Sequence, residues 1–186
     1  MQTPAALDAF VDACKTQASA KDHDAVASLL RELIGDPGFA ESMPAFEDVT
    51  TSANGWTLGG EHICHQTPEL TVMVLDTLPG VLQPPHDHEM HAIIGVFEGR
   101  EDQRFYARAA DAVSETAGRA LSAGEVMVLG ERAIHAISSP EGQAARAIHV
   151  YFGDIYAVDR SLYDPDTLEP VPYTGENYDR FCRSAA

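Results

Sequence analysis

Pro84-Pro85-His86-Asp87-His88, running on through Glu89-Met90-His91 to Ala92-Ile93-Ile94-Gly95-Val96-Phe97-Glu98-Gly99, is the stretch on which the fold turns. In extended chain, side chains two apart point the same way, so His86 and His88 can grip one ion from one strand end. Pro84 and Pro85 stiffen the approach to the pair. Taken alone, a His-x-His pair reads more often as two solvated loop histidines. Its surroundings change that balance. The apolar run that follows closes at Gly99, and a second run, Gly124-Glu125-Val126-Met127-Val128-Leu129-Gly130-Glu131-Arg132-Ala133-Ile134-His135, starts on a glycine and ends in a lone histidine.

Outward from these two stretches, short apolar runs alternate with turn signals. We expect strands over 56–65, 70–76, 80–84, 91–98, 102–109, 111–116, 125–129, 134–138, 145–152 and 155–159. Breaks fall at Pro68, Leu78-Pro79-Gly80, Glu98-Gly99, Gly118, Ser122-Ala123-Gly124 and Ser139-Pro140-Glu141-Gly142. This spacing predicts an all-β sandwich or barrel. The first 45 residues read differently. Thr3 can cap a helix with Pro4 at its first position, and Leu7, Phe10, Val11 and Cys14 form one apolar stripe. A second helix starts near Asp22 or Asp24, carries Val26, Leu29, Leu30, Leu33 and Ile34, and ends at Gly35 and Pro37. Both stripes need cover, so both helices should pack outside the β region. The tail from Gly175 predicts a short helix with Tyr178, Phe181 and Cys182 on its apolar face. No linker divides the chain, so we expect one domain over 1–186, with 1–45 a helical extension and 56–171 the barrel.

The bulk composition narrows the partners. The chain has 186 residues, 45% hydrophobic and 22% charged, enough for a sizeable core without disulfides. Twelve basic against 29 acidic residues give a net charge of −17, which disfavours nucleic acid and anionic membrane surfaces alike. Cys14, Cys64 and Cys182 are few, odd in number and without a CxxC, which fits a reducing compartment. With no signal peptide and no membrane span to be read, the expectation is a cytoplasmic protein. A homo-oligomer is left open.

The two histidine stretches together resemble the paired motifs of the cupins, over roughly residues 56–160. That resemblance implies a double-stranded β-helix (jelly-roll) barrel with the helices packed outside. It also implies one divalent metal held by His86, His88 and His135. Cupins usually supply a glutamate four or five residues after the second histidine. Here those positions are Ala92 and Ile93, which cannot bind a metal, and Glu89 points away if the strand continues. Three neutral imidazoles leave an octahedral ion its full charge and open positions, a setting that suits an anionic bidentate substrate with dioxygen.

Beyond His135, Ala147-Ile148-His149-Val150-Tyr151 puts 147, 149 and 151 on one strand face. It is similar to the Ser-x-His-x-Tyr stretch of the thiol dioxygenases, with Ala147 in place of the serine. On this resemblance the chain looks like a bacterial member of that family, which includes cysteine dioxygenase and 3-mercaptopropionate dioxygenase. The resemblance implies Fe(II), a small thiol and O2 as reactants, a sulfinic acid as product, and Tyr151 and His149 as catalytic residues. Arg160 matches the carboxylate clamp of the 3-mercaptopropionate branch. No Lys or Arg stands between Arg31 and Arg100 to serve the arginine that animal enzymes place before the histidine pair. The cysteine of the animal thioether crosslink maps near Ala92, so no crosslink forms there. An amine-free mercapto-acid is therefore expected over cysteine, with Glu61 the one residue cutting the other way.

Other readings stay open. A cupin of another class would use zinc, nickel or manganese as a Lewis acid, and a binding module would hold a metal or small ligand without turnover. Arg160 is also readable as a surface partner of Asp159 or Asp164, and His91 as a pocket wall, a surface residue or an occasional fourth ligand. Trp56 is expected in the core and Glu47 and Asp48 in solvent. Nothing in the sequence around Cys64 suggests activation.

Overall fold

The computed structural model describes residues 3–44, 49–109 and 112–185; Glu47 and Asp48 lie outside these. Three helices come first: α1 (Ala5–Ala20), α2 (His23–Gly35) and α3 (Pro37–Ser42). The Asp22 side chain caps α2 by accepting from the Ala25 amide at 2.9 Å. Asp36 does the same for α3 at Gly38, with Pro37 at the first helical position. The sequence reading ended the second helix at Gly35 and Pro37; the proline that stops that helix also starts the next.

The strands follow: β1 (Thr50–Thr51), β2 (Thr57–Leu58), β3 (Glu61–Thr67), β4 (Leu70–Thr77), β5 (Val81–Leu82), β6 (His86–Asp87), β7 (Ala92–Glu98), β8 (Arg100–Arg108), β9 (Val113–Ser122), β10 (Val126–Leu129), β11 (Ile134–Ser138), β12 (Ala145–Tyr151), β13 (Ser161–Tyr163) and β14 (Pro170–Pro172). The chain ends with α4 (Gly175–Phe181) and β15 (Arg183–Ser184). One sheet has the order β10-β7-β12-β4-β3. In the other, β6 and β5 follow one another along the same edge of β11, β13 and β14 continue outward from β6, and β8 with β9 lies on the far side of β11. From β4 to β13 the antiparallel chain passes repeatedly between the two sheets, which is the double-stranded β-helix of the cupin barrel. Among the described residues no helix is long and apolar enough to cross a membrane.

The five-stranded sheet is covered on both faces. Val72, Val74, Ile93, Phe97, Ile148 and Val150 pack outward against Leu7, Phe10, Leu30 and Ile34 of the helices. Met73, Ala92, Ile94, Val96, Ala147 and Tyr151 face the barrel interior. That is why β7 reads as a continuous apolar run and not as an alternation. At Gly95 an added Cβ would lie 2.7 Å from Leu30, so the missing side chain is what lets α2 seat against β7.

Three local readings are corrected. Residues 155–159 form a turn, because the Asp154 carboxylate accepts from the Tyr156 amide at 3.0 Å and bends the chain before it can pair. Gly118 does not break a strand: it pairs with Arg104 inside β9, which runs on to Ser122 after a bulge. Trp56 is half-buried in the β1–β2 hairpin and is not part of the core. Gly99, by contrast, closes the first motif as read. Its φ is +72° and an added Cβ would lie 2.0 Å from the Ala144 carbonyl oxygen. Gly99→Ala should therefore lose about 1–2 kcal/mol from backbone handedness alone and more from that overlap, measurable as a lower denaturant midpoint with unchanged slope.

Candidate metal centre

Strand pairing brings the three histidines together. His86 on β6 is the cross-strand partner of His135 on β11, and His88 follows just beyond the end of β6. Their side chains each offer one nitrogen within 4.8 Å of the others, and all three are buried. His135 Nε2 lies 3.3 Å from His88 Nε2. Two nitrogens each about 2.0–2.1 Å from one ion would be separated by roughly this distance. His86 Nδ1 lies 3.0 Å from the Pro84 carbonyl oxygen, which can only accept, so Nδ1 carries the hydrogen and Nε2 is free to ligate. His135 Nδ1 lies 2.7 Å from Gln103 Oε1. Among the described residues His88 Nδ1 has no hydrogen-bond partner. The three side chains fit a divalent ion.

Electrostatics agree with that use. Burial, with Arg160 nearby, pushes His86 down to about 4. Burial and the neighbouring imidazoles hold His88 and His135 well below the usual histidine range. All are therefore neutral at pH 7 and need lose no proton to ligate. No carboxylate belongs to the group. Glu89 turns away through a φ of +52° and pairs with Arg108 at 2.6 Å. His91 stands outside the cluster, stacked on His23 with ring centroids 4.0 Å apart and its Nδ1 3.5 Å from Glu131.

Several supports went unread in the sequence. Asp87, the middle residue of His-x-His, is fully buried. It accepts from the Ser161 amide (2.8 Å), the Tyr163 hydroxyl (2.8 Å) and Arg108 (3.0 Å), which ties the two-residue β6 to β13 and β8. Gln103 and Glu101 point inward from β8, both buried. The only local signal was two polar residues on the inward alternation of a barrel strand.

A cavity of about 470 Å³ opens beside His86, and His149, Tyr151, Arg160, Glu61 and Tyr173 also contribute to its wall. His149 Nδ1 lies 3.0 Å from the Tyr151 hydroxyl, and His149 Nε2, on the side where Ala147 offers no hydroxyl, has no partner. Burial pushes His149 down to about 3 and Tyr151 well above the usual phenol range, so both are neutral. The Arg160 guanidinium lies over the Tyr173 ring, 3.6 Å from its centroid, and among the described residues no ion pair joins it to Asp159 or Asp164. Glu61 sits at the same wall, where it accepts from the Tyr156 hydroxyl at 3.0 Å. The cysteines take no part: all are free, and burial pushes Cys64 up to about 11 and Cys14 and Cys182 up to about 12.

No family model matches the chain. Among solved structures it is similar to DMSP lyase DddQ from Ruegeria pomeroyi DSS-3, at 13% identity over 84% of this chain and 95% of that one, with a TM-score of 0.52. It also overlays an uncharacterized conserved protein with a double-stranded beta-helix domain from Klebsiella pneumoniae subsp. pneumoniae MGH 78578 (14% identity, 64% of this chain, 89% of that chain, TM-score 0.48). A third is a cupin 2 conserved barrel domain protein from Salinispora arenicola CNS-205 (16% identity, 59% and 87% covered, TM-score 0.44). The first of these bears on the fold alone.

A divalent ion at a hundred times its Kd adds about 2.7 kcal/mol to the folded state, roughly 5–10 °C in a chain of this size. Thermal melts at pH 7 should show that rise on adding Zn²⁺ to the native protein and none for His135→Ala.

Proposed function

We propose that this protein is a non-haem iron thiol dioxygenase that oxidises a small mercapto-carboxylate to a sulfinic acid. One observation carries the reading. His86, one of three clustered neutral imidazoles with no carboxylate among them, the His149–Tyr151 pair and the Arg160 guanidinium line one cavity. The reaction is RS⁻ + O2 → RSO2⁻; both oxygen atoms end on sulfur, and the thiol proton leaves to solvent. Iron(II), when bound by His86, His88 and His135, supplies the redox chemistry that joins the two reactants.

The chain's own residues do the rest. An all-neutral ligand set leaves the ion's charge uncompensated and so favours a soft anion, the thiolate. Arg160 is positioned to take the substrate carboxylate through two parallel hydrogen bonds, with the Tyr173 ring fixing the plane of the fork. With its hydrogen on Nδ1, neutral His149 would donate to the Tyr151 oxygen 3.0 Å away and so turn the phenolic hydrogen toward the substrate. The apolar walls of Met73 and Ile155 keep the reacting sulfur from bulk water. Glu61, at the same wall, offers an anion to a substrate ammonium. It supports cysteine as a candidate beside 3-mercaptopropionate and weakens the expectation of an amine-free acid.

Oxygen uptake by iron-loaded protein across a panel of thiols tests the reading; no uptake with any thiol would overturn it in favour of a Lewis-acid enzyme or a binding protein. Tyr151→Phe should slow turnover on the order of a hundredfold, as loss of one aimed hydrogen-bond donor does, with iron content unchanged. Arg160→Ala should lower kcat/KM for carboxylate thiols on the order of a hundredfold and leave a thiol without a carboxylate nearly unaffected. Equal loss for both kinds of thiol would make Arg160 structural.

A further inference from the structure

Glu101, Gln103 and Thr77 form a line of buried hydrogen bonds that ends on His135. Glu101 and Gln103 are inward-facing on β8, at 0% and 1% exposure, and Thr77 at the end of β4 is 1% exposed. The Thr77 hydroxyl lies 3.0 Å from Glu101 Oε1, Gln103 Nε2 lies 2.9 Å from Glu101 Oε2, and Gln103 Oε1 lies 2.7 Å from His135 Nδ1. The line crosses from one sheet of the barrel to the other and touches no solvent.

We propose that Glu101 is a positioning residue that acts through Gln103 to hold His135 in the one tautomer able to ligate a metal. The inference rests on the three-histidine centre but not on the reaction assigned to it. The argument is one of direction. An ionised carboxylate accepts and cannot donate, so the amide of Gln103 must turn its NH2 to Glu101. Its carbonyl oxygen is then the only atom left for His135, and a carbonyl oxygen only accepts. Nδ1 must carry the hydrogen, and Nε2, the atom 3.3 Å from His88 Nε2, is left with its lone pair. A free glutamine would have no such preference, since its two ends differ little in shape and both can satisfy an imidazole. With Glu101 in place, the reversed amide would set carbonyl oxygen against carboxylate. A carboxylate reaching the imidazole through an amide also makes the ring a stronger donor.

This arrangement explains why an acidic residue is buried in the barrel with no cation beside it. Its neighbours are a hydroxyl and an amide, and burial pushes its carboxyl up to about 7 against those two hydrogen bonds. Thr77 can accept as well as donate, so a proton on Glu101 can rest between Oε1 and Thr77 and leave the amide's order intact. His86 reaches the same end by the carbonyl of Pro84, and His88 has no such partner. The centre thus has one ligand oriented by backbone, one by a side-chain relay and one by packing alone.

Two measurements test the proposal. In the metal-stripped native protein labelled with ¹⁵N-histidine, two-bond ¹H–¹⁵N correlations should show His135 protonated on Nδ1; protonation on Nε2 overturns the proposal without any variant. Competition with a chelating dye then gives the Zn²⁺ affinity. Gln103→Leu and Glu101→Leu should each bind about 10–100-fold more weakly, the range typical of such outer partners. Glu101→Gln, which can still accept from Gln103 and donate to Thr77, should recover most of that loss. Leucine variants that melt earlier yet bind Zn²⁺ as tightly as the native protein would show a merely structural role and overturn the inference. A native protein that binds no Zn²⁺ at all would instead refute the metal centre itself.

Discussion

The cross-strand pairing of His86 with His135 is the contact on which the centre depends. Far apart in the chain, the two are set side by side by one antiparallel register, and a slip of one residue would turn His135 to the opposite face. The pairing is short: β6 is only two residues long. It is held from several sides, by β11, by β13 and by the three hydrogen bonds that converge on the Asp87 carboxylate. The residue between the two ligands thus fixes the strand from which they project.

The parts legible in the sequence were those with local signatures. His86, His88 and His135 were readable from spacing, Gly99 from its place at the end of an apolar run, and the shared face of His149 and Tyr151 from the period of a strand. The helical stripes named Leu7, Phe10, Val11, Cys14, Val26, Leu30 and Ile34, all buried where the helices meet the barrel, and Leu29 and Leu33, which are only partly buried there. What failed was decided by single side chains. Asp154 bends residues that are apolar enough for a strand, and Gly118 pairs where a break was expected. Asp87, Glu101 and Gln103 had no signature, because each matters through a partner brought close only by register.

The site also separates two electrostatic problems. The chain as a whole is strongly acidic, with a net charge of −17. Four buried imidazoles, His86, His88, His135 and His149, are kept neutral by burial. Against that background the Asp76 carboxylate at the cavity wall is paired with Arg146 at 3.1 Å, while the Arg160 guanidinium gives the wall a positive point and the Glu61 carboxylate a negative one. A small ligand carrying charge at one end would be turned by that pair before any contact with the histidines is made.

The contact between Gly95 and Leu30 has a consequence for how the molecule can vary. A sheet packed on both faces cannot lose its outer layer without presenting Val72, Val74, Ile93, Phe97, Ile148 and Val150 to water as one patch. The inward neighbours of those residues line the barrel and include Tyr151. The helical segment is therefore as much a part of the barrel's wall as the strands are. Sequence drift should collect instead on β9, which faces solvent along most of its length.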